Sequence, residues 1–378
     1  VLTNIGTVTK ILKVYNNHDQ DIQISRLHLA GGTNSVFRLN VDGIPTRDIN
    51  NVVIFEKDSL YIFIEATLNS NELDSILLIQ DSIVFEFNTK IQDVDLLAWG
   101  QDVHFLDGES ITTQTWSAEK PYLIYNSILI DSNETLTIDE GVTIYFHKGS
   151  RMYVSGTIIA TGTIENPINF RGDRLDYLLN GIPYNEIPDQ WEGVWFLASS
   201  HKNLLNYCSI RNAKIGIQIG VLGETEQPDL IIRNSIIDNH SYAGIFAINS
   251  VLHAENSVFS NAGTYTSALV AGGDYSFIHC TFPNYFTHLS RNSAGFVFSN
   301  NITYLDEVFD NDLELFVGNC IIYGTQSNEV GIGIKSDPIF EYKFENCLIR
   351  QDDGFPETDT TGKFSEVIFS IDPKFKST

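Results

Sequence analysis

The sequence predicts an all-β protein in two parts, a non-repeating β domain followed by a solenoid of short β-coils. Three observations carry this. Six phrases built around a Cys or Ser recur down the second half of the chain. The stretch "LTIDEGVTIYFHKGSRMYVSGTIIATGT" (136–163) alternates apolar and polar residues and breaks at Gly141, Gly149, Gly156 and Gly162. Aromatic residues reach 12%, with 24 Phe and 16 Tyr, which suits a strand-rich chain.

Residues 1 to about 105 do not repeat. "KILKVYNNHDQDIQISRLHL" reads as strand, Asn-rich turn, strand; "SVFRLNVDG", "NVVIFEKDSLYIFIEATL" and "DSIVFEFN" add further alternating strands. "VDLLAWGQDVHFLDG" (94–108) carries the last strand and the join, with Trp99 as a candidate plug for the open end of the solenoid. The expected boundaries are 1–105 and 106–378.

In the 136–163 stretch, Leu136-Thr-Ile-Asp, Val142-Thr-Ile-Tyr-Phe, Met152-Tyr-Val-Ser and Thr157-Ile-Ile-Ala are short strands with glycine at the corners. They form the sides of one or two opening coils. "NPINFRGD" (166–173) follows, and then an excursion from Asp173 to Gln190 rich in Tyr, Leu, Asn and Pro. A loop of that length in a compact coil points to function.

The repeat begins after it. "LNYCSIRN", "IRNSIIDN", "AENSVFSN", "FIHCTFPN", "VGNCIIYG" and "FENCLIRQ" align on Cys208, Ser235, Ser257, Cys280, Cys320 and Cys347, with gaps of 27, 22, 23, 40 and 27 residues. A second phrase, a small residue followed by apolar ones, runs in step at Gly193, Gly216, Gly244, Ala268 and Gly295. Self-similarity at this period signals a solenoid. A leucine-rich repeat needs a Leu lattice and usually a helical segment; these units are instead short strands rich in Ile, Val, Phe and Tyr bounded by Asn and Gly, so the unit is a β-helix coil. The Cys/Ser row then points inward, each side chain one strand spacing (roughly 4.8 Å) from its counterpart. Buried reduced thiols are the expected state, with a disulfide between adjacent coils as the alternative. The recurrent Asn positions, Asn234, Asn256, Asn319 and Asn346 before the row and Asn212, Asn239, Asn261 and Asn284 after it, suit corners, because Asn tolerates the left-handed conformation and hydrogen-bonds along a ladder.

This order of opening strands, "WEGVWF" phrase and N-C/S-I coils resembles the right-handed parallel β-helix family of pectate lyases and related carbohydrate-active proteins, over about residues 120 to 370. It is especially similar to surface β-helix proteins known by fold alone. The N-terminal strand order resembles Hydin-type immunoglobulin-like domains, β-sandwiches that act as spacers or binding modules. Together the resemblances imply an immunoglobulin-like β-sandwich followed by a right-handed parallel β-helix.

Composition narrows the function. A net charge of −25, from 48 acidic against 23 basic residues, argues against nucleic-acid binding, which needs Lys and Arg to replace phosphate counterions. It also disfavours an anionic membrane face. No apolar run approaches the roughly 18 to 20 residues of a membrane span. The chain opens at Val1 without a visible signal peptide and reads as a mature or trimmed form. The four cysteines include no CxxC pair, so zinc and thioredoxin-like chemistry lack support.

If the β-helix were an enzyme, the resemblance implies either calcium-binding carboxylates with an Arg base, or the Asn-Thr-Asp, Asp-Asp, Gly-His-Gly and Arg-Ile-Lys phrases of polygalacturonases. Of these only Asp352-Asp353 is present, in a polar stretch near the end of the chain, where solvated loop carboxylates are the ordinary reading. That stretch, with Asp352, Asp353, Glu357 and Asp359, is the candidate Ca²⁺ site, although its spacing is not that of an EF-hand. Ligand contact is expected around the long loop, from Asp173, Arg174, Asp176, Tyr184, Trp191 and Trp195, weighed against a plain surface salt-bridge network. Trp191, Trp195, Phe196, Tyr184, Tyr242, Phe246 and Tyr265 form a candidate aromatic strip able to stack on sugars or a protein. Alternation sends Val194 and Phe196 inward and leaves Trp195 out. The expected role is a non-enzymatic, extracellular binding or scaffolding protein, in the manner of an accessory lipoprotein of an outer-membrane assembly, with a surface protein or polysaccharide as partner. The alternative is a polysaccharide lyase or glycoside hydrolase, which would show acids converging on the sheet of the small-residue phrase.

Overall fold

The structure, a computed structural model, describes residues 9–67, 77–177, 181–288, 290–335, 337–353 and 362–376, apart from the side chains of residues 77 and 99. Trp99 as a plug therefore lies outside what is described. The described residues contain strands and two short 3₁₀ turns, with no α-helix, and no helix among them is long and apolar enough to cross a membrane. The chain divides into two compact units, Val1–Val103 and His104–Thr378. The solenoid thus opens at His104, whose strand His104–Asp107 pairs in parallel with Tyr122–Tyr125.

The first unit is a β-sandwich of two antiparallel sheets. One orders the strands Lys10–Tyr15, Ser59–Ala66, Phe37–Val41 and Ile44–Thr46; the other orders Asp48–Ile54, Ile22–Leu29, Leu77–Phe87 and Lys90–Gly100. Alternation sends Ile24, Leu27 and Leu29 of the second sheet against Phe37, Leu39, Leu60 and Ile62 of the first, in one core.

The second unit is a parallel β-helix with three faces. The first face is an 11-stranded sheet running from His104–Asp107 to Ile368–Phe369. In each coil the chain turns into the second face (Arg151–Val154, Gly193–Phe196, Ile215–Ile219) and then the third (Thr157–Thr161, Asn203–Asn206, Asp229–Arg233). Two strands, Ala243–Glu255 and Tyr265–Ile278, run through the corner between the second and third faces, which links those faces into one sheet. Inward residues from all three faces form one continuous core of aliphatic and aromatic side chains, with Trp116 stacked on Tyr122 at 4.1 Å near its start, Phe259 on Phe282 at 5.1 Å and Phe344 on Phe364 at 5.4 Å.

The Cys/Ser row stacks as the period requires. Ser209 pairs with Ile236, Ile236 with Val258, Val258 with Thr281, Thr281 with Ile321 and Ile321 with Leu348, so the residue before each falls in one buried column. The Cys208 amide donates to Ser235 Oγ at 3.0 Å, Ser235 to Ser257 Oγ at 3.1 Å and Cys280 to Cys320 Sγ at 3.3 Å. The four cysteines are buried free thiols. Burial raises the Cys208 thiol above its usual range, and the Cys280 and Cys347 thiols on either side raise that of Cys320.

The preceding Asn row is the corner. Asn234, Asn256, Asn319 and Asn346 have φ of +50°, +49°, +55° and +53°, and Tyr207 and His279 take the same conformation where Asn is missing. Asn256 Nδ2 donates to Asn234 Oδ1 at 2.7 Å and Asn234 Nδ2 to Asn206 Oδ1 at 2.8 Å, forming a side-chain ladder. The small-residue phrase needs one correction. Gly216 stands beside Gly244, but the next place is Thr266, because Phe246, two residues on from Gly244, pairs with Ala268. A two-residue offset keeps every side chain on its own face, so the hydrophobic pattern alone does not register it.

Among the described residues, the 40-residue gap in the repeat holds two additions, the stretches 285–288 and 290–295 and the hairpin Asn301–Tyr304/Glu307–Asp310. The first is tied down by a buried ion pair. Arg291 donates to both Glu329 oxygens, at 2.5 and 2.7 Å, and the side chains are 3% and 1% exposed. Glu329 also accepts from the amides of Gly295 and Gln326. Removing one partner leaves a buried charge, so Glu329→Ala is expected to lower unfolding free energy by about 3–5 kcal/mol. The paired change Arg291→Met/Glu329→Leu should recover most of this in urea unfolding monitored by tryptophan fluorescence.

Candidate functional site

The described part of the long loop, 173–177 and 181–190, lies at the corner between the first and second faces. It leaves the first-face strand Ile168–Gly172 and re-enters at Trp191. Two members of the second Asn row hold it: Asn212 Nδ2 donates to the Asn185 carbonyl and Asn239 Nδ2 to the Glu186 carbonyl, each at 2.9 Å. Ser241 Oγ reaches Asp189 Oδ1 at 3.2 Å, and the buried Gln190 side chain donates to the carbonyls of Tyr184 and Ile187. The loop is therefore strapped across the two coils that follow it.

At its mouth the expected charged residues are each in contact with a partner. Arg174 makes a two-pronged contact with Asp176, at 2.7 and 2.9 Å, and its guanidinium lies 3.9 Å from the Tyr184 ring centroid. Asp173 meets His147 Nδ1 at 2.7 Å, and the His147 ring stacks on Tyr125 with centroids 3.9 Å apart. Burial lifts the Asp173 carboxyl above the usual carboxylate range, against the opposing pull of His147. Burial, with the Asp173 charge behind it, also pushes the Tyr125 hydroxyl up to about 12.

Trp191 does not join this group. It is 1% exposed, stacks on Phe146 at 3.9 Å between centroids, and donates from Nε1 to the Arg211 carbonyl, so it belongs to the core. Phe196 is likewise buried. Trp195 stands outside on the second face, half-buried, with the Arg151 guanidinium 4.0 Å from its ring and Tyr153 edge-on at 6.0 Å. Register places Tyr153, Trp195, Gln218, Phe246, Ala268 and Val297 in one outward column across six consecutive coils. Tyr242 packs near Phe246 and edge-on to Tyr265 at the rim. The loop-mouth group and the aromatic column are thus separate features, which the candidate residues had joined.

Sequence reasoning missed the first-face column beside the loop. Arg171 lies 6.0 Å from the Tyr145 ring, and Arg211 reaches Asp238, which also accepts from Ser260 Oγ and Asn261 Nδ2. "FRGDRL" and "SIRNA" carried the signal, two arginines at equivalent coil positions. At the proposed calcium stretch, Asp353 exchanges hydrogen bonds with Asn328, and Asp352 lies 3.8 Å from Arg350; Glu357 and Asp359 lie outside the described residues. On the third face Asp274, Glu314 and Glu341 stack on neighbouring coils, exposed, with Glu341 paired to Lys363. Among the described residues, no group of three His, Cys, Asp or Glu side chains is arranged to hold a metal.

The stacked coils define a parallel β-solenoid protein. The family model described as "Right handed beta helix region" matches residues 50–282, more than half of the chain, and the chain belongs to that family. Two solved structures are similar to it. The Agl-KA catalytic domain is 11% identical, covering 95% of this chain and 79% of that one, with a TM-score of 0.22. The catalytic unit of a thermostable GH87 alpha-1,3-glucanase from Streptomyces thermodiastaticus strain HF3-3 is 9% identical, covering 95% and 88%, with a TM-score of 0.25. Likeness at that level carries no argument about activity. No curated protein matches the chain.

One buried group beneath the strap titrates within reach of experiment. His240, between the two loop-holding residues Asn239 and Ser241, is fully buried, and a Cβ on Gly216 would come within 2.7 Å of its Nε2. Neither ring nitrogen has a hydrogen bond of good geometry. Burial pushes its pKa down to about 4, with the Asp238 charge and the carbonyls of Ala213 and Ile210 opposing. The native state therefore binds this proton less tightly than the unfolded chain. The stability is present above about pH 6.5 and is lost as pH falls toward 4, by about 3 kcal/mol in all. His240→Gln is expected to flatten the fall in Tm between pH 7 and 4, measured by circular dichroism.

Proposed function

We propose that the protein is a non-catalytic, extracellular binding protein that offers the second face of its β-helix to a surface polysaccharide. One observation carries this reading: the outward column of that face presents Tyr153, Trp195 and Phe246 and contains no carboxylate. Aromatic rings spaced along parallel coils give flat platforms for sugar rings. Hydrolysis or lyase chemistry on that face would need acids converging there. An immunoglobulin-like sandwich ahead of the coil fits a spacer, and the whole fits an accessory, lipid-anchored component of an outer-membrane assembly.

The enzyme alternative has one residue in its favour, Asp173, whose part-buried carboxyl sits against His147. Affinity electrophoresis of the full chain through gels containing different polysaccharides separates the two. Binding is expected, with Trp195→Ala weakening it about fivefold to tenfold. Release of reducing ends or unsaturated sugars by the wild type, abolished in Asp173→Asn, would replace the binding reading with the enzymatic one. Retardation by none of the polysaccharides would end the polysaccharide reading.

A further inference from the structure

The β-sandwich is closed on one side and open on the other. On the closed side the strands Ile44–Thr46 and Asp48–Ile54 are the outer strands of the two sheets, and the chain steps from one sheet to the other through Arg47. That edge is also blunted: its first strand has three residues including Pro45, and Asp48 is held by Arg26. On the opposite side the outer strands are Lys10–Tyr15 and Lys90–Gly100. Among the described residues, each pairs within its own sheet on one side, with Ser59–Ala66 and Leu77–Phe87 respectively.

Between these two edges lies a cleft of about 550 Å³, within the range of specific ligand sites. Its floor is the sandwich core, where Ile24, Ile54 and Phe85 are 3%, 4% and 7% exposed. Leu12 and Val14 from one edge and Val94 from the other form its walls, and Asp93 is the charged residue that lines it. The strand Lys90–Gly100 has 11 residues, no proline, and Ile91 and Leu97 that are 72% and 63% exposed. A long edge without proline or a register break is a template for another strand, and its charges at Lys90, Asp93 and Asp95 restrict which strand it accepts.

We propose that this cleft receives an extended peptide segment of a partner protein, added as a strand against Lys90–Asp95, with alternate apolar side chains in the cleft and a basic residue beside Asp93. Two flanking rows of main-chain donors and acceptors select a peptide over an acyl chain, which would leave them unpaired. The Asp93 carboxylate and the net charge of −25 select the basic residue. This site is independent of the aromatic column on the β-helix.

The test probes the full-length chain with an array of heptapeptides that alternate Val and Thr between Lys, Glu or uncharged ends. Lys-ended members are expected to bind best and to slow amide hydrogen exchange within Lys90–Asp95. Val14→Trp, which fills the cleft, should weaken binding about tenfold, whereas Trp195→Ala should leave it unchanged. Ile91→Lys, at the exposed rim, is the second variant should Val14→Trp prove unstable, and its charge should also weaken binding of the Lys-ended members. No binding by any member, preference for Glu ends, or exchange protection elsewhere would overturn the proposal. So would a dodecanoate probe that occupies the cleft while the peptides do not.

Discussion

Everything in the solenoid follows from in-register stacking of one coil on the next. Each strand satisfies its main-chain groups only through the coils above and below, so equivalent residues are forced into columns roughly 4.8 Å apart. An inward column must then hold side chains whose volumes suit one another, which is why Cys and Ser interchange at positions 208, 235, 257, 280, 320 and 347. The corners must turn within a single residue, which selects the left-handed conformation and hence Asn. Where Asn occupies successive corners its amide can meet the next one, as Asn256 meets Asn234, and Asn234 in turn reaches Asn206, the residue before the corner at Tyr207.

The same constraint sets what was legible in the sequence. The period, the inward row and the corners are local and repeated, so spacing alone reveals them. The fate of the aromatic residues depends on which way one strand turns its alternate positions and on what fills the next coil. Trp191 and Trp195 are four residues apart and equally conspicuous in sequence, yet Trp191 precedes its strand and folds into the core over Phe146, while Trp195 stands outside. The Thr266/Ala268 offset was invisible for the related reason that a shift of two residues conserves the inside–outside pattern. The strap at 181–190 could be placed as an interruption but not as a lid on two particular coils, since its contacts to Asn212 and Asn239 come from later turns of the helix.

Stacking also places like charges together, and the protein tolerates this unequally. Asp274, Glu314 and Glu341 form a column on the third face, where water and salt screen them and Lys363 offsets one. Asp238, nearly buried on the first face, is instead supplied with Arg211, Ser260 and Asn261. The buried Glu329 has a two-pronged arginine and two main-chain amides. Across these carboxylates the donors increase from the exposed column to Glu329, in line with the cost of leaving a charge unpaired away from water.

A solenoid couples each coil mainly to its neighbours, so an irregularity perturbs the stack locally. The strap, the stretches 285–288 and 290–295 and the hairpin at 301–310 all enter at corners, where a coil can lengthen without breaking a ladder. The sandwich has no such freedom. Its two sheets share one small core, and an opening at one edge exposes that core directly. An apolar cleft beside a long edge strand is costly to keep unless something occupies it, whereas the aromatic column of the β-helix rests on a core already complete beneath it. The two candidate recognition surfaces of this chain thus differ in kind: the β-helix displays its residues on a finished wall, and the sandwich leaves its wall unfinished.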